Sequence, residues 1–210
     1  NSQDYDVILT TASLSLRLAM IAPRLKAATI GWQHNCYDGY LHVKPVVFWQ
    51  QENLLQQYLP NLDRYIVLSD YDKRDYMEKL GIDCEVKINP RSFVSEKKCD
   101  VKSKRFLMAT RFVYAKGLDL MMESFEEFCK EDSEWELDII GDGDLFDQIR
   151  ADAKKRHLEK RVHFVGYTNE PEKYYLNSSV FLLPSRWEGW PMVIMEAFEF
   201  GLPVIAYHMG

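Results

Sequence analysis

Residues 186–197 read Arg-Trp-Glu-Gly-Trp-Pro-Met-Val-Ile-Met-Glu-Ala, and this stretch decides how the rest of the chain is interpreted. The apolar run of residues 179–183 before it predicts a buried strand that stops at the next proline. Pro191 suits the first turn of a helix, and Gly201 suits the position just after the end of that helix. Residues 202–207 are apolar again and predict another strand. The stretch therefore predicts a strand, a loop, a helix and a second strand.

Two glutamates eight positions apart bracket the start of that helix. Glu188 lies on the loop before it, and Glu196 lies more than one turn inside it. The N–H groups between them form a favourable seat for phosphate. Either acid taken alone could be a solvated side chain. Because Glu196 falls inside an apolar run, where an unpaired carboxylate is costly, we interpret the pair as binding residues for hydroxyl groups on both sides of a diphosphate.

Residues 184–197, followed by Gly-Leu-Pro-Val-Ile-Ala at 201–206, resemble the donor-site motif of the family 4 retaining glycosyltransferases. The resemblance implies the GT-B fold, an α/β architecture in which two Rossmann-like lobes with parallel sheets face a cleft. It also implies that Glu188, a candidate catalytic residue, and Gly189 contact the donor sugar, and that Glu196 contacts the ribose of a nucleotide diphosphate sugar.

A second segment, Thr-Arg-Phe-Val-Tyr-Ala-Lys-Gly at 110–117, follows a predicted strand at 105–109. Arg111 supplies a planar set of donors and Lys116 a point charge, which suits a diphosphate, although two solvated cations would look the same. With the first motif, the segment resembles the Gly-Arg-x-x-x-x-Lys-Gly signature of that family. Thr110 stands where the family usually has glycine, which could narrow the room near the phosphates or simply be tolerated.

Two further strand ends carry weaker signals. Gly141 opens a Gly-Asp-Gly-Asp turn, which by itself is usually a tight connection, and the family commonly has glycines here near the nucleotide. The resemblance places Tyr167, after the strand at 162–165, beside the base. A plain surface turn explains Tyr167 almost as well.

His34 lies in a polar loop, residues 33–40, at the end of a predicted strand. A histidine in such a place is more often structural than catalytic. The resemblance makes His34 a candidate catalytic residue on the acceptor side. Thr10 and Thr11 occupy the place where relatives often have another histidine.

The alternation of strands and helices predicts two α/β lobes. We assign residues 1–92 to the second part of an N-terminal, acceptor-side lobe and residues 104–210 to the first part of a C-terminal, nucleotide-sugar-binding lobe. The Lys-rich segment 93–103 is the predicted linker. Both lobes look incomplete, and we expect the chain to be an internal fragment that by itself could be inactive.

The net charge of −6 argues against nucleic acid as a partner. The four cysteines show no metal-ligand spacing and are expected to be reduced thiols of a cytoplasmic protein. No apolar run is long enough to cross a membrane. Arg17, Arg24 and Lys26 beside residues 18–21 could form a basic amphipathic patch for peripheral contact with the inner face of the membrane, and a helix facing the core explains the same pattern more simply.

The resemblance therefore implies an enzyme that moves a sugar from a nucleotide diphosphate sugar to a glycan or lipid-linked acceptor hydroxyl with retention, in cell-surface polysaccharide or glycolipid synthesis. The resemblance implies neither a cofactor nor a metal, since relatives with this fold use side chains and helix dipoles instead of a metal. Two alternatives stay open. One is another GT-B enzyme, an epimerase or a phosphorylase, and the other is a non-catalytic relative that binds glycan or stabilises a partner transferase.

Overall fold

The computed structural model describes residues 4–43 and 50–208 of the chain. Within these ranges helices and strands alternate, and every paired strand is parallel to its neighbour. The chain divides into two compact units. The first comprises Asn1–Pro90 and Glu188–Trp190, and the second comprises Arg91–Trp187 and Pro191–Gly210.

The first unit has a sheet of four strands in the order β1-β2-β3-β4. Apolar side chains from its helices and from β3 form a continuous core cluster. The elements are β1 (Val7–Thr11), α1 (Ser13–Ile21), β2 (Ala28–Trp32), α2 (Tyr37–Leu41), α3 (Glu52–Tyr58), β3 (Arg64–Val67), α4 (Asp70–Leu80) and β4 (Glu85–Val86).

Ser69, three residues before Asp72, predicts a capping box at the start of a helix, and the structure has a capping interaction there, at the start of α4. The Ser69 hydroxyl accepts a hydrogen bond from the backbone N–H of Asp72 at 3.0 Å and donates one to the Asp72 carboxylate at 2.7 Å. The first of these bonds satisfies an N–H group that the helix itself leaves unpaired. The same carboxylate accepts a hydrogen bond from the backbone N–H of Tyr37 at 2.8 Å, so it also fixes the start of α2.

The loop predicted at residues 33–40 was wrong in its second half, because α2 begins at Tyr37. The Cys36 sulfur accepts a hydrogen bond from the Gly39 N–H, and Tyr37 is 2% exposed. These contacts stabilise a short helix whose glycine would disfavour it in isolation. The sequence of residues 45–58 predicts a helix; the structure has α3 from Glu52 onward, and residues 44–49 lie outside the described part of the chain.

The second unit has a sheet of five strands in the order β7-β6-β5-β8-β9. Its first strand has the bounds that the sequence predicts, and the other elements differ from their predicted bounds by a few residues. The elements are β5 (Arg105–Ala109), α5 (Leu118–Glu131), β6 (Glu136–Ile140), α6 (Phe146–Lys155), β7 (Val162–Gly166), α7 (Glu172–Leu176), β8 (Val180–Leu183), α8 (Met192–Glu199) and β9 (Val204–Ala206).

Both faces of this second sheet are covered. Phe106 and Met108 of β5 belong to a cluster that includes side chains of α5 and α6, whereas Leu107 belongs to one that includes side chains of α7 and α8. This alternation follows from the two-residue period of a strand, and it explains why the strands are apolar on both sides.

The strand order also locates the ligand-binding edge of the sheet. β5 has β6 on one side and β8 on the other, and the helices that follow β5 and β8, α5 and α8, cover opposite faces. In open parallel sheets such a switch point leaves a crevice outside the carboxyl ends of the two strands, where ligands bind.

Candidate functional site

The loops that follow β5 and β6 are fastened to each other at that edge. The backbone N–H of Thr110 donates to the carbonyl oxygen of Ile140, and the N–H of Phe112 donates to that of Asp142, each at 2.9 Å. Gly141 adopts φ +127°, and a Cβ at this position would lie 1.8 Å from the carbonyl oxygen of Thr110. Only glycine fits there, so the glycine turn holds the loop that begins with Arg111 in place.

The side chain of Arg111 is exposed at the tip of that loop, and Lys116 is half-buried at the end of the 3₁₀ turn Tyr114–Lys116. Thr110 has an ordinary negative φ, since it is absent from the described residues with positive φ. The position therefore makes no conformational demand for glycine, and the threonine there is unstrained.

The turn that carries Lys116 lies directly against the loop after β8. Gly117 has φ +63°, and a Cβ there would lie 2.0 Å from the carbonyl oxygen of Pro184. The backbone N–H of Arg186 donates to the carbonyl oxygen of Ala115 at 2.7 Å. The two loops on either side of the switch point are thus in backbone contact.

Arg186 joins these two loops with its side chain as well. Its guanidinium donates to both carboxylate oxygens of Asp119, at 2.8 and 2.6 Å, and to the carbonyl oxygen of Tyr114 at 2.9 Å. It also lies over the ring of Tyr114, 4.0 Å from the centroid. The hydrogen bond from Arg186 lowers the pKa of the Asp119 carboxyl, and the same bond raises the pKa of Arg186.

Glu196 lies in the second turn of α8 and is half-buried. The hydroxyl of Tyr175, on α7, donates a hydrogen bond of 2.8 Å to its Oε2 atom. A carboxylate inside an apolar helix thus has a partner for one oxygen, as the cost of burying an unpaired charge requires.

Both residues line an open pocket of about 740 Å³ in the second unit. Its apolar lining includes Phe93 and Phe200, and its polar lining includes Asn169. Its volume lies in the range of small-molecule sites, and its lining also contains charged side chains of both signs. Glu196 is therefore available to accept hydrogen bonds from a ligand with hydroxyl groups.

The end of β7 borders the same edge of the sheet. The backbone N–H of Gly141 donates to the carbonyl oxygen of Gly166 at 2.8 Å, which joins this strand end to that of β6. The side chain of Tyr167 is 77% exposed and is not part of the pocket lining, whereas Asn169 and Glu170 are. The role of Tyr167 beside a base stays a prediction.

In the first unit, His34 follows β2 and is exposed. Its ring lies 5.1 Å from that of Trp32, and partial burial lowers its pKa. Thr10, at the end of the neighbouring β1, donates to the Ser15 hydroxyl at 3.4 Å. The acceptor-side role of His34 stays a prediction.

Glu188 and Gly189 fall in the first unit, where the backbone of Gly189 lies against His34 and Asn35. In the second unit, the structure brings Arg111, Lys116 and Gly141 together at one edge of the sheet. The prediction that Glu188 shares a pocket with Glu196 concerns both units and stays a prediction.

Neither a metal site nor a membrane span was found in the part of the chain that the structure describes. Residues 4–43 and 50–208 contain no group of three or more histidine, cysteine or acidic side chains able to hold a metal ion. No helix within these ranges is both long and apolar enough to cross a bilayer.

Sequence reasoning missed Tyr175 and Arg186 as supports of the site. Tyr175 is 21 positions from Glu196, and only the general need of a buried tyrosine hydroxyl for a partner could have signalled its role. Arg186 belongs to the first motif, but its partner Asp119 lies 67 positions away at the start of another helix.

The chain is similar to known glycosyltransferases in sequence. A model of the family described as Glycosyl transferases group 1 matches residues 92–210. An uncharacterized glycosyltransferase of Haemophilus influenzae is 30% identical over 208 residues, which are 96% of this chain and 56% of that protein. The lipopolysaccharide 1,6-galactosyltransferase of Salmonella typhimurium is 31% identical over 105 residues, 48% of this chain and 29% of that protein. The chain thus spans about half, or less, of the length of these relatives.

Among solved structures, a mutant of S. aureus TarM in complex with Fondaparinux, alpha-GlcNAc-glycerol and UDP has a TM-score of 0.77. The match has 22% sequence identity and covers 87% of this chain and 37% of that chain. At this identity the likeness shows the fold, and the predicted GT-B class is confirmed.

Proposed function

Because this chain belongs to the glycosyl transferases group 1 family, we propose that the protein moves a sugar from a nucleoside diphosphate sugar to an acceptor hydroxyl. The proposal includes retention of configuration at the anomeric carbon and a place in cell-surface polysaccharide or glycolipid synthesis. The observation that carries it is the pocket of about 740 Å³ in which Glu196 offers a carboxylate to hydroxyl groups. A ribose with two neighbouring hydroxyls fits that chemistry.

The diphosphate is assigned to the edge formed by the loops after β5 and β8. Arg111 and Lys116 follow β5, and their charges would neutralise the negative charge that develops on the departing diphosphate. The N-terminal end of α8 would add N–H groups and the positive end of its dipole. Support comes from the packing of these loops against each other, which fixes the backbone that carries both side chains.

Glu188 and Gly189 are proposed to contact the donor sugar, and His34 is proposed to act on the acceptor side. His34 is exposed and its lowered pKa favours the neutral imidazole, the form that can accept a proton from a hydroxyl group. The UDP named with the TarM relative supports a uridine nucleotide as the first donor to test.

For the acceptor we propose a glycan or a lipid-linked glycan, used on the cytoplasmic side of the membrane. In α1, Leu14, Met20 and Ile21 are exposed together with Arg17, whereas Leu16, Leu18 and Ala19 belong to the core. The exposed side of this helix thus combines apolar side chains with one arginine, which favours peripheral contact with an anionic lipid surface.

The test is isothermal titration of the full-length protein with UDP-, GDP- and ADP-sugars. We expect one nucleotide class to bind, and we expect Glu196→Ala to weaken that binding by at least about 10-fold, since it removes a charged hydrogen-bond acceptor. Glu131→Ala, which changes an exposed glutamate at the end of α5, is the matched control and should bind like the wild type. Failure of all the nucleotide sugars to bind the wild type, or tight binding that survives Glu196→Ala, would refute the proposal.

A further inference from the structure

Tyr175 occupies an unusual position for a side chain on a five-residue helix. It is 1% exposed, yet its hydroxyl reaches the carboxylate of Glu196, which lines the ligand pocket. A buried tyrosine hydroxyl needs a hydrogen-bond partner, and here that partner is the acid assigned to ligand hydroxyls.

The ring of Tyr175 is held on both sides. It is stacked with Phe181 of β8 at 5.8 Å and an interplanar angle of 8°, and with Phe200 after α8 at 5.2 Å and 23°. Since a well-packed aromatic ring has few alternative rotamers, the hydroxyl at its tip is a fixed donor. Burial, and then the charge of Glu196, raises the pKa of Tyr175, which keeps the hydroxyl protonated near neutral pH.

A glutamate has three side-chain torsions, and on a half-buried helix position several of its rotamers are accessible. The 2.8 Å hydrogen bond to Oε2 selects among them and leaves Oε1 for a ligand. A carboxylate oxygen has two lone pairs and can therefore accept from two neighbouring hydroxyl groups at once.

We propose that Tyr175 is a positioning residue, which holds Glu196 so that its free oxygen accepts from the paired hydroxyls of a ribose and thereby sets the preference for ribonucleotides over 2′-deoxyribonucleotides. This inference rests on the proposed donor site. It adds to that site a residue that fixes the orientation of the carboxylate, so that the carboxylate discriminates between nucleotides with and without a 2′-hydroxyl group. A site built to bind a hydroxyl group rejects the analogue that lacks it, because buried polar groups are then left unpaired.

The experiment uses isothermal titration of the full-length protein with UDP and 2′-deoxy-UDP, or with the matching pair for whichever nucleotide binds. Tyr175→Phe removes the hydroxyl and keeps the stacked ring. Tyr174→Phe is the matched control, because it removes a hydroxyl from the neighbouring residue of the same helix, and Glu196→Gln and the double variant Tyr175→Phe/Glu196→Gln complete a cycle.

We expect the wild type to prefer the ribonucleotide by at least about 10-fold. Tyr175→Phe should weaken binding of the ribonucleotide by about 10-fold and change binding of the 2′-deoxynucleotide by less than about three-fold, so that the preference disappears. Tyr174→Phe should keep the preference. The double variant should bind no worse than Glu196→Gln, since both changes act through the same carboxylate.

A preference that is unchanged in Tyr175→Phe would overturn the inference while leaving the donor site intact. Equal weakening of the binding of both nucleotides would overturn it too, since a purely structural role of Tyr175 changes the two dissociation constants by the same factor. If the wild type bound neither nucleotide, the proposed function itself would fail, and the inference with it. Should Tyr175→Phe not fold, Glu196→Asp, which withdraws the carboxylate by one methylene group, carries the same expected loss of preference.

Discussion

The carboxyl ends of the strands are built differently in the two units. In the second unit the loops after β5, β6 and β8 are joined by backbone hydrogen bonds, by glycines that leave no room for a Cβ atom, and by the side chain of Arg186. In the first unit His34 is exposed and its described ring contact is with Trp32. We expect the proposed donor side to be fixed before the ligand binds and the exposed His34 side chain on the proposed acceptor side to adapt to the acceptor, since fixed groups reduce the ordering cost of binding.

The strongest way to break this contrast is to place a methyl group at a glycine in each unit. Gly117→Ala would bring a Cβ atom within 2.0 Å of the carbonyl oxygen of Pro184 at φ +63°, so we expect a loss of about 3 kcal/mol in unfolding free energy. Gly81→Ala is the matched control, because Gly81 has φ +69° and nothing within 4 Å of the added atom. It should cost only the left-handed conformation, about 1 kcal/mol.

Thermal unfolding of the two variants and the wild type measures both effects. Equal losses for Gly117→Ala and Gly81→Ala would mean that the close approach of the two loops in the second unit is unimportant. The proposed rigidity of the donor side would then be wrong.

On the acceptor side, His34→Gln should leave donor binding within about two-fold of the wild type and lower the transfer rate by about 100-fold, the usual contribution of a general base. The lowered pKa of His34 gives the sign of the pH effect: the neutral ring is favoured in the folded protein, so its contribution to stability is present above about pH 6.5 and declines as the pH falls towards the lowered folded value. Donor titrations and transfer rates measure the first two effects, and unfolding by urea between pH 5 and 8 measures the effect on stability. A variant as fast as the wild type would remove His34 from the mechanism.

Arg186→Lys tests the side-chain link between the loops. Lysine cannot reproduce the two-pronged contact with Asp119 together with the contact with Tyr114, so we expect donor binding to weaken by about 10-fold through the turn that carries Lys116. Arg150→Lys, an exposed change in α6, is the control. Wild-type affinity for the donor in Arg186→Lys would show that the contacts of Arg186 do not affect the side chains proposed to bind the diphosphate.

The same variant should also differ from the wild type in how its stability depends on pH in the acidic range. Because Arg186 lowers the pKa of Asp119, the stabilisation from this pair is complete above about pH 4 and is lost as the pH falls through the lowered folded pKa. The loss of stability in that range should be smaller in Arg186→Lys. Unfolding by urea at pH 3 and pH 6 makes the comparison, and identical acid losses in the two proteins would contradict it.

The smallest effect is expected at the position where the motif departs from the family pattern. Thr110 has an ordinary backbone conformation, so Thr110→Gly should change donor affinity by less than about three-fold and cost about 0.5–1 kcal/mol through the greater freedom of the unfolded chain. Titration and thermal unfolding measure these two quantities. A gain of 10-fold or more in affinity would show instead that the threonine obstructs the phosphates.

Local patterns in the sequence were enough for much of the fold. β5 occupies the predicted residues 105–109, and the Ser69 cap begins α4 as its spacing predicts. Both depend on neighbouring residues, either on a short apolar run or on a side chain that bonds three positions ahead. The common location of Arg111, Lys116 and Gly141 could also be predicted, because the residues that follow parallel strands lie at one edge of the sheet.

The supports of the site depend on distant contacts and could not be predicted in the same way. The start of α2 requires Asp72, 35 positions away, and the selection of a Glu196 rotamer requires Tyr175 on a different helix. Neither pair leaves a periodic signal in the sequence. Sequence reasoning identified the groups that would bind a ligand and missed the groups that hold them.

The close approach of Gly117 to Pro184 and of Gly141 to Thr110 has a practical consequence for changing donor choice by laboratory evolution. In libraries that randomise these two glycines, most variants would fail to fold. Asn169, an exposed residue of the pocket lining, and Tyr167, exposed two positions before it, can be varied without that penalty. Tyr175 should be kept whenever Glu196 is kept.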